Sequence, residues 1–258
     1  METSMQTQYF KEYSPALGRD MECKVYGHAG RPLLFVPCQD GRFFSFEDFH
    51  MSDTMAPWIE NGKLMVIAVD TIDQETWSNK SGDPWWRIRR HEAWMSHIFN
   101  EIVPLCQHIS RLANGVEGNS GIIAFGCSLG ALHAVNLYLR RPDLFTGLLA
   151  LSGIYTASYG FGNYMDDVVY RNSPVDYMAN MPVDHPYISL YNSQRAAICV
   201  GQGAWEMPES TRQLKEIFER KGIHLWVDMW GHDVNHDWPW WYKQVEYFLP
   251  WLLGEHAA

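Results

Sequence analysis

Along the chain, short runs that are apolar throughout alternate with longer stretches whose apolar residues recur every three or four positions. Leu64 to Val69 is apolar at every position, the pattern of a strand buried on both faces. Gly121 to Gly126, Gly147 to Leu151, Ala197 to Gly201 and His224 to Met229 repeat that character. Two earlier strands are predicted at Glu22 to Tyr26 and Leu33 to Pro37, joined by the turn Gly27–Pro32. Between strands the spacing becomes helical. Ile88, Met95, Ile98, Phe99 and Ile102 share one face of a helix over Arg87 to Val103, which Pro104 is expected to end or kink. Further helices are predicted from Leu129 to Arg141, from Pro208 to Lys221 with Gly222 just past its end, and from Trp241 to Leu252 with a bend near Pro250.

Strand–helix–strand alternation predicts one α/β domain over residues 1–258: a mostly parallel central sheet with helices on both faces. Ile154 to Gln194, rich in Tyr, Asn, Asp and Pro, breaks the rhythm. It reads as an insertion with short helices over the carboxyl edge of the sheet.

Local chemistry sharpens this picture at Gly126-Cys127-Ser128-Leu129-Gly130, which lies between a predicted strand and a predicted helix. G-x-S-x-G in that setting is a nucleophile elbow, the mark of an α/β-hydrolase fold. Small residues on either side let strand and helix approach, and the turn lifts the serine hydroxyl to the sheet edge. The amide of Leu129, at a helix N-terminus, faces developing negative charge. Cys127 is the rival nucleophile, but the tip of the turn is Ser128.

A serine hydroxyl needs a base, usually a histidine held by a carboxylate, and on this fold the chain order is serine, acid, histidine. Six histidines follow the elbow: His133, His185, His224, His232, His236 and His256. His232 and His236 share the loop between the last strand and the last helix, where the base belongs. His236, deeper in that loop, is preferred over His232. The pair with Asp233 and Asp237 also resembles a metal site, but no third ligand cluster accompanies it, and no metal is expected. The acid should follow the preceding strand. Glu206 is the first carboxylate there, near a helix N-terminus that favours its ionised form, with Glu209 as runner-up.

The second oxyanion donor is expected in Pro37–Phe43, where Gly41 lets the backbone turn inward. The amide of Arg42 is the first choice and Phe43 the next. The Arg42 side chain either meets an anionic substrate group or holds its own loop through Glu47 or Asp48. Trp77, in the loop after Val69, is either a wall of the substrate pocket or a packed anchor. Trp85-Trp86 and Trp238–Trp241 line a cleft or pack under long loops.

These segments, Asp40-Gly41-Arg42, Gly126–Gly130, Gly201–Glu206 and Asn235-His236-Asp-Trp-Pro-Trp-Trp241, resemble the putative-esterase family of α/β-hydrolases, from about Tyr13 to Leu253. That family includes S-formylglutathione hydrolase (esterase D) and the mycobacterial mycolyltransferases. The resemblance implies Ser128 as nucleophile, His236 as base, Glu206 as acid, and the amides of Leu129 and Arg42 as the oxyanion hole. Many relatives use Asp as the acid; the mycolyltransferases use Glu.

Composition excludes other classes. Twenty Lys and Arg against thirty Asp and Glu give a net charge of −10, the wrong sign for nucleic acid. Five scattered cysteines without a C-x-x-C pair read as buried free thiols of a reducing compartment. Met1–Gln8 lacks a basic start followed by an apolar run, and no apolar stretch nears the ~20 residues of a membrane span. A soluble, cytoplasmic protein without membrane contact is therefore expected. The sequence leaves homo-oligomer formation open.

The function expected is that of a serine carboxylesterase acting on a small-molecule ester through an acyl-enzyme on Ser128, without a cofactor. The alternatives are an acyltransferase sharing that intermediate and a non-catalytic binding module with an aromatic cleft.

Overall fold

The computed structural model describes residues 5–115 and 121–255. Residues 1–4 of the stretch read for a signal, and His256, lie outside them. Eight strands form one sheet: β1 (Thr7–Ser14), β2 (Arg19–Tyr26), β3 (Arg31–Val36), β4 (Leu64–Val69), β5 (Ile122–Cys127), β6 (Phe145–Leu151), β7 (Arg195–Val200) and β8 (Trp226–Met229). Their order is β1-β2-β4-β3-β5-β6-β7-β8. β1 and β2 are antiparallel to their neighbours, and the strands from β4 to β8 run parallel.

Alternation along the strands divides the core in two. Leu33, Phe35, Val66, Ile123, Phe125 and Leu149 face the helices Met51–Glu60 and Trp238–Leu252. Leu34, Val36, Ile67, Ala124, Leu148 and Ile198 face the opposite layer, built from the helices Pro84–His97, Val103–Asn114, Leu129–Arg140 and Glu209–Lys221. A strand buried on both faces has no polar side to show, hence its unbroken apolar run.

The structure departs from the sequence reading at several points, including the helices Met51–Glu60 and Val103–Asn114, which the pattern does not announce. β2 and β3 follow one another in the chain but do not pair, because β4 lies between them. β1 escapes the pattern because it is an edge strand, exposed over most of its length. Pro104 neither ends nor interrupts the helical path. A π-turn at Ile98–Ile102 precedes it and leads without a break into Val103–Asn114, and the wider turn accommodates a residue that has no N–H to give to the ladder. The insertion holds four short helices, Ser158–Phe161, Asp167–Tyr170, Pro174–Ala179 and Pro186–Ser193. Among the described residues no helix is long and apolar enough to cross a membrane.

Beneath the loops at the carboxyl edge lies a buried histidine pair. His91 stacks on His133 with ring centres 5.0 Å apart and on Trp94 at 5.6 Å. His133 Nε2 lies 2.8 Å from Asp73 Oδ1. Burial pushes the pKa of His91 well below its ordinary value, and the nearby charges of His133 and Arg140 act in the same direction. The unfolded chain then binds the proton more readily than the folded one, so stability is lost as pH falls below about 6.5, by up to about 1.4 kcal/mol per pH unit. The melting temperature is expected to drop between pH 7 and pH 5, and less steeply in His91→Phe. Calorimetric scans with the same slope for both proteins would rule out His91 as the source.

Candidate active site

The elbow is where the backbone is forced. Ser128 adopts φ +58°, ψ −126°, between β5 and the helix Leu129–Arg140. A Cβ on Gly126 would lie 2.2 Å from the carbonyl oxygen of Gly130, and one on Gly130 would lie 2.4 Å from those of Val36 and Pro37. Only glycine fits at either position, and the crossing is what sets the hydroxyl at the sheet edge. The amide of Leu129, first in its helix, has no intrahelical acceptor. Cys127 points the other way, into the core, and burial pushes its thiol far above the usual pKa.

His236 is brought to the elbow from the loop after β8. Its Nε2 is 3.0 Å from Ser128 Oγ, and its Nδ1 is 3.1 Å from Glu206 Oε2. The imidazole is 22% exposed and the carboxylate 1%. Glu206 Oε1 accepts hydrogen bonds from the Ser152 hydroxyl at 2.6 Å and the Gly201 amide at 3.1 Å. Ser128, His236 and Glu206 are therefore contiguous, although far apart in sequence.

Two loops lock together to hold this line. The amide of Gly203 donates to the carbonyl of Val234, that of Ala204 to Asn235 Oδ1, and that of His236 to the carbonyl of Ala204. Asp237 caps the following helix through the Trp238 amide, and Trp241 packs edge-on against the His236 ring. His232, Asp233 and Glu209 are exposed and stand outside this arrangement.

The whole chain can now be compared with known proteins. The sequence profile of the "Putative esterase" family matches residues 14–252. The chain belongs to that family and is an ester-bond hydrolase. No protein of curated function matches it by sequence. Its fold is similar to that of a ferulic acid esterase (15% identity, TM-score 0.75, covering 98% of this chain and 99% of the other). It is likewise similar to an S-formylglutathione hydrolase from Agrobacterium tumefaciens (15%, TM-score 0.73, covering 98% and 96%) and to MPT51 of Mycobacterium tuberculosis (16%, TM-score 0.66, covering 96% and 98%).

Three sequence expectations for this esterase need correction. The Arg42 amide is engaged, donating to Ser45 Oγ at 3.1 Å, and the Phe43 amide donates to Asp70 Oδ1 at 2.8 Å. The Arg42 guanidinium does hold its own loop, but through Asp70 and Glu22, at 2.9 and 2.7 Å, rather than Glu47 or Asp48. Trp77 is fully buried, wedged between Phe161, His91 and His133, so it forms no pocket wall. It is a packed anchor: a Cβ on Gly160 of the insertion would lie 2.6 Å from its ring.

The aromatic clusters divide. Trp241 is core, whereas Trp238 stacks on Phe49 at 4.8 Å, and Trp85 and Trp86 are about half exposed. Trp205, next to Glu206 and at φ +65°, is 88% exposed.

Residues that the sequence reading missed hold the surrounding loops. Tyr159 of the insertion donates to Gln39 Oε1 at 2.6 Å, Gln39 Nε2 donates to Ser78 Oγ at 2.9 Å, and Ser78 donates to Asp40 at 2.7 Å. Ser152 and Asn235 act on Glu206 and on the 201–206 loop. The available signal was position: Ser152 is the first residue after β6, the strand beside β5.

A Cβ on Gly203 would lie 2.3 Å from Asn235 Oδ1 and 2.7 Å from the carbonyl oxygen of Val234. Gly203→Ala is therefore expected to push the two loops apart and shift His236. Turnover of p-nitrophenyl acetate should fall by about 10- to 100-fold, the effect of a displacement on the order of 1 Å. Wild-type turnover would show that the loops do not need this contact.

Proposed function

We propose that the protein is a serine carboxylesterase that hydrolyses a small-molecule ester through an acyl-enzyme on Ser128. The reading is carried by one observation: the unbroken line of hydrogen-bond distances from Ser128 Oγ through His236 to Glu206, 3.0 and 3.1 Å. His236 takes the hydroxyl proton as the oxygen attacks the ester carbonyl. Glu206 accepts from Nδ1–H, fixes the tautomer that leaves Nε2 free as a base, and stabilises the imidazolium that forms. His236 then protonates the leaving alcohol. Water, deprotonated by the same imidazole, attacks the acyl-enzyme, and the acid departs as Ser128 regains its proton.

The tetrahedral oxyanion is held by the amide of Leu129, aided by the N-terminal end of its helix. With the amides of Gly41, Arg42 and Phe43 bonded within the protein, the second donor falls to the stretch Cys38–Asp40. Asp40 there takes φ +60°, a turn that redirects successive amides, and its side chain and that of Gln39 are pinned by Ser78 and Tyr159. Arg42, neutralised by two carboxylates, is not assigned to substrate.

Ser128→Ala is expected to lower kcat on p-nitrophenyl acetate by roughly 10⁴- to 10⁶-fold with the melting temperature retained. A fluorophosphonate probe should label the wild type at Ser128 and leave that variant unlabelled. Near-normal turnover by Ser128→Ala would refute the assignment.

A further inference from the structure

Ser152 stands behind the carboxylate, on the side away from His236. It is 2% exposed and holds a left-handed backbone, φ +54°, a conformation that side chains other than glycine, asparagine and aspartate rarely take. Its surroundings fix it from three directions. Its amide donates to the carbonyl of Cys199 on β7, and the carbonyl of Leu151 before it accepts from the Ser128 amide. Its hydroxyl accepts from Trp241 Nε1–H at 2.9 Å and lies 2.6 Å from Glu206 Oε1.

A hydroxyl has one proton. Trp241, a donor only, fills an acceptor position on Ser152 Oγ, so the serine proton is directed at Glu206. Trp241 also lies against the His236 ring, 5.1 Å between ring centres, so one side chain contacts both ends of the arrangement. This left-handed backbone sits where the chain leaves β6, next to the contact with Glu206.

We propose that Ser152 is a positioning residue for the hydrolysis: its hydroxyl, oriented by Trp241, holds Glu206 in the rotamer that meets His236 Nδ1. The proposal rests on the reading of Ser128, His236 and Glu206 given above. Three ionisable groups lie close enough to Glu206 to feel its charge: Cys127 on β5, Cys199 on β7 and Tyr155 in the loop after β6. Burial pushes all three pKa values up, so they stay neutral.

Ser152→Gly and Ser152→Ala test this. Both remove the hydroxyl, and only alanine keeps a Cβ on the left-handed backbone. The two are expected to lose kcat on p-nitrophenyl acetate equally, by about 10-fold, with KM within about two-fold. The glycine variant should melt at or above the alanine variant. The acid limb of kcat/KM against pH should move upward in both, because a carboxylate relieved of a donor presents more negative charge to the imidazolium. A merely structural serine would change the melting temperature and leave the limb in place. An unmoved limb with kcat within about two-fold of wild type overturns the proposal. Ser128→Ala measured alongside separates the two failures. If it still turns over, the underlying reading falls; if it is inactive while both Ser152 variants match the wild type, only the role of Ser152 falls.

Discussion

Gly130 passes so close to the end of β3 that a single methyl group would sit 2.4 Å from two carbonyl oxygens. Together with the matching contact at Gly126, this fixes where the helix Leu129–Arg140 leaves the sheet. Ser128 is the residue at the corner, and its backbone at φ +58° is the consequence. Such a conformation costs on the order of 1–3 kcal/mol and persists only where its surroundings leave no alternative. Here the surroundings are strands buried along almost their whole length. Apart from Arg31 and Thr146, β3, β5 and β6 are apolar on both faces, and the helix that follows β5 is buried along almost its whole length. The stability of the core thus maintains the strain at the edge.

The other half of the arrangement is made of loops, which have no such core behind them. They compensate by bonding to each other. The 201–206 and 231–237 loops share four backbone-centred hydrogen bonds, at Gln202, Gly203, Ala204 and His236. The loop after β3 is tied to the segment after β4 by Arg42 and Phe43 on Asp70 and by Gln39 on Ser78. The insertion joins through Tyr159 and through Gly160 on Trp77. Each loop is positioned by its neighbour, so a change at one contact is felt across the rim.

This division explains what could be read from the sequence. The inner parallel strands declare themselves by nearly unbroken apolar runs, and the elbow by two glycines in a strand–helix setting, because both features are local. Glu206 and His236 follow from chain order, a property of the fold. The errors fall where the answer depends on side-chain contacts or backbone turns that the apolar pattern does not encode. Arg42 and Phe43 look available until Ser45 and Asp70 are seen to take their amides. Trp77 looks like a cleft residue until Phe161 and two histidines close around it. β1 shows almost no apolar alternation because it lies at the sheet edge, and Pro104 is tolerated because the wider π-turn precedes it. Ser152 is marked in the sequence only by its place after β6, since its significance comes from Trp241 and Glu206, both remote along the chain.

Glu206 shows how folding and chemistry impose the same requirement. A carboxylate 1% exposed has lost nearly all its water, and an ionised group in that state is costly unless donors replace the solvent. Gly201 and Ser152 supply two donors to one oxygen, and His236 faces the other. Those partners also remove the carboxylate's freedom to rotate. Its second oxygen is left with a single direction, toward Nδ1 of the imidazole. Satisfying the buried charge and aiming it are therefore one event. The ordering that the proposed proton transfer requires is already achieved when the chain folds, before any ester arrives.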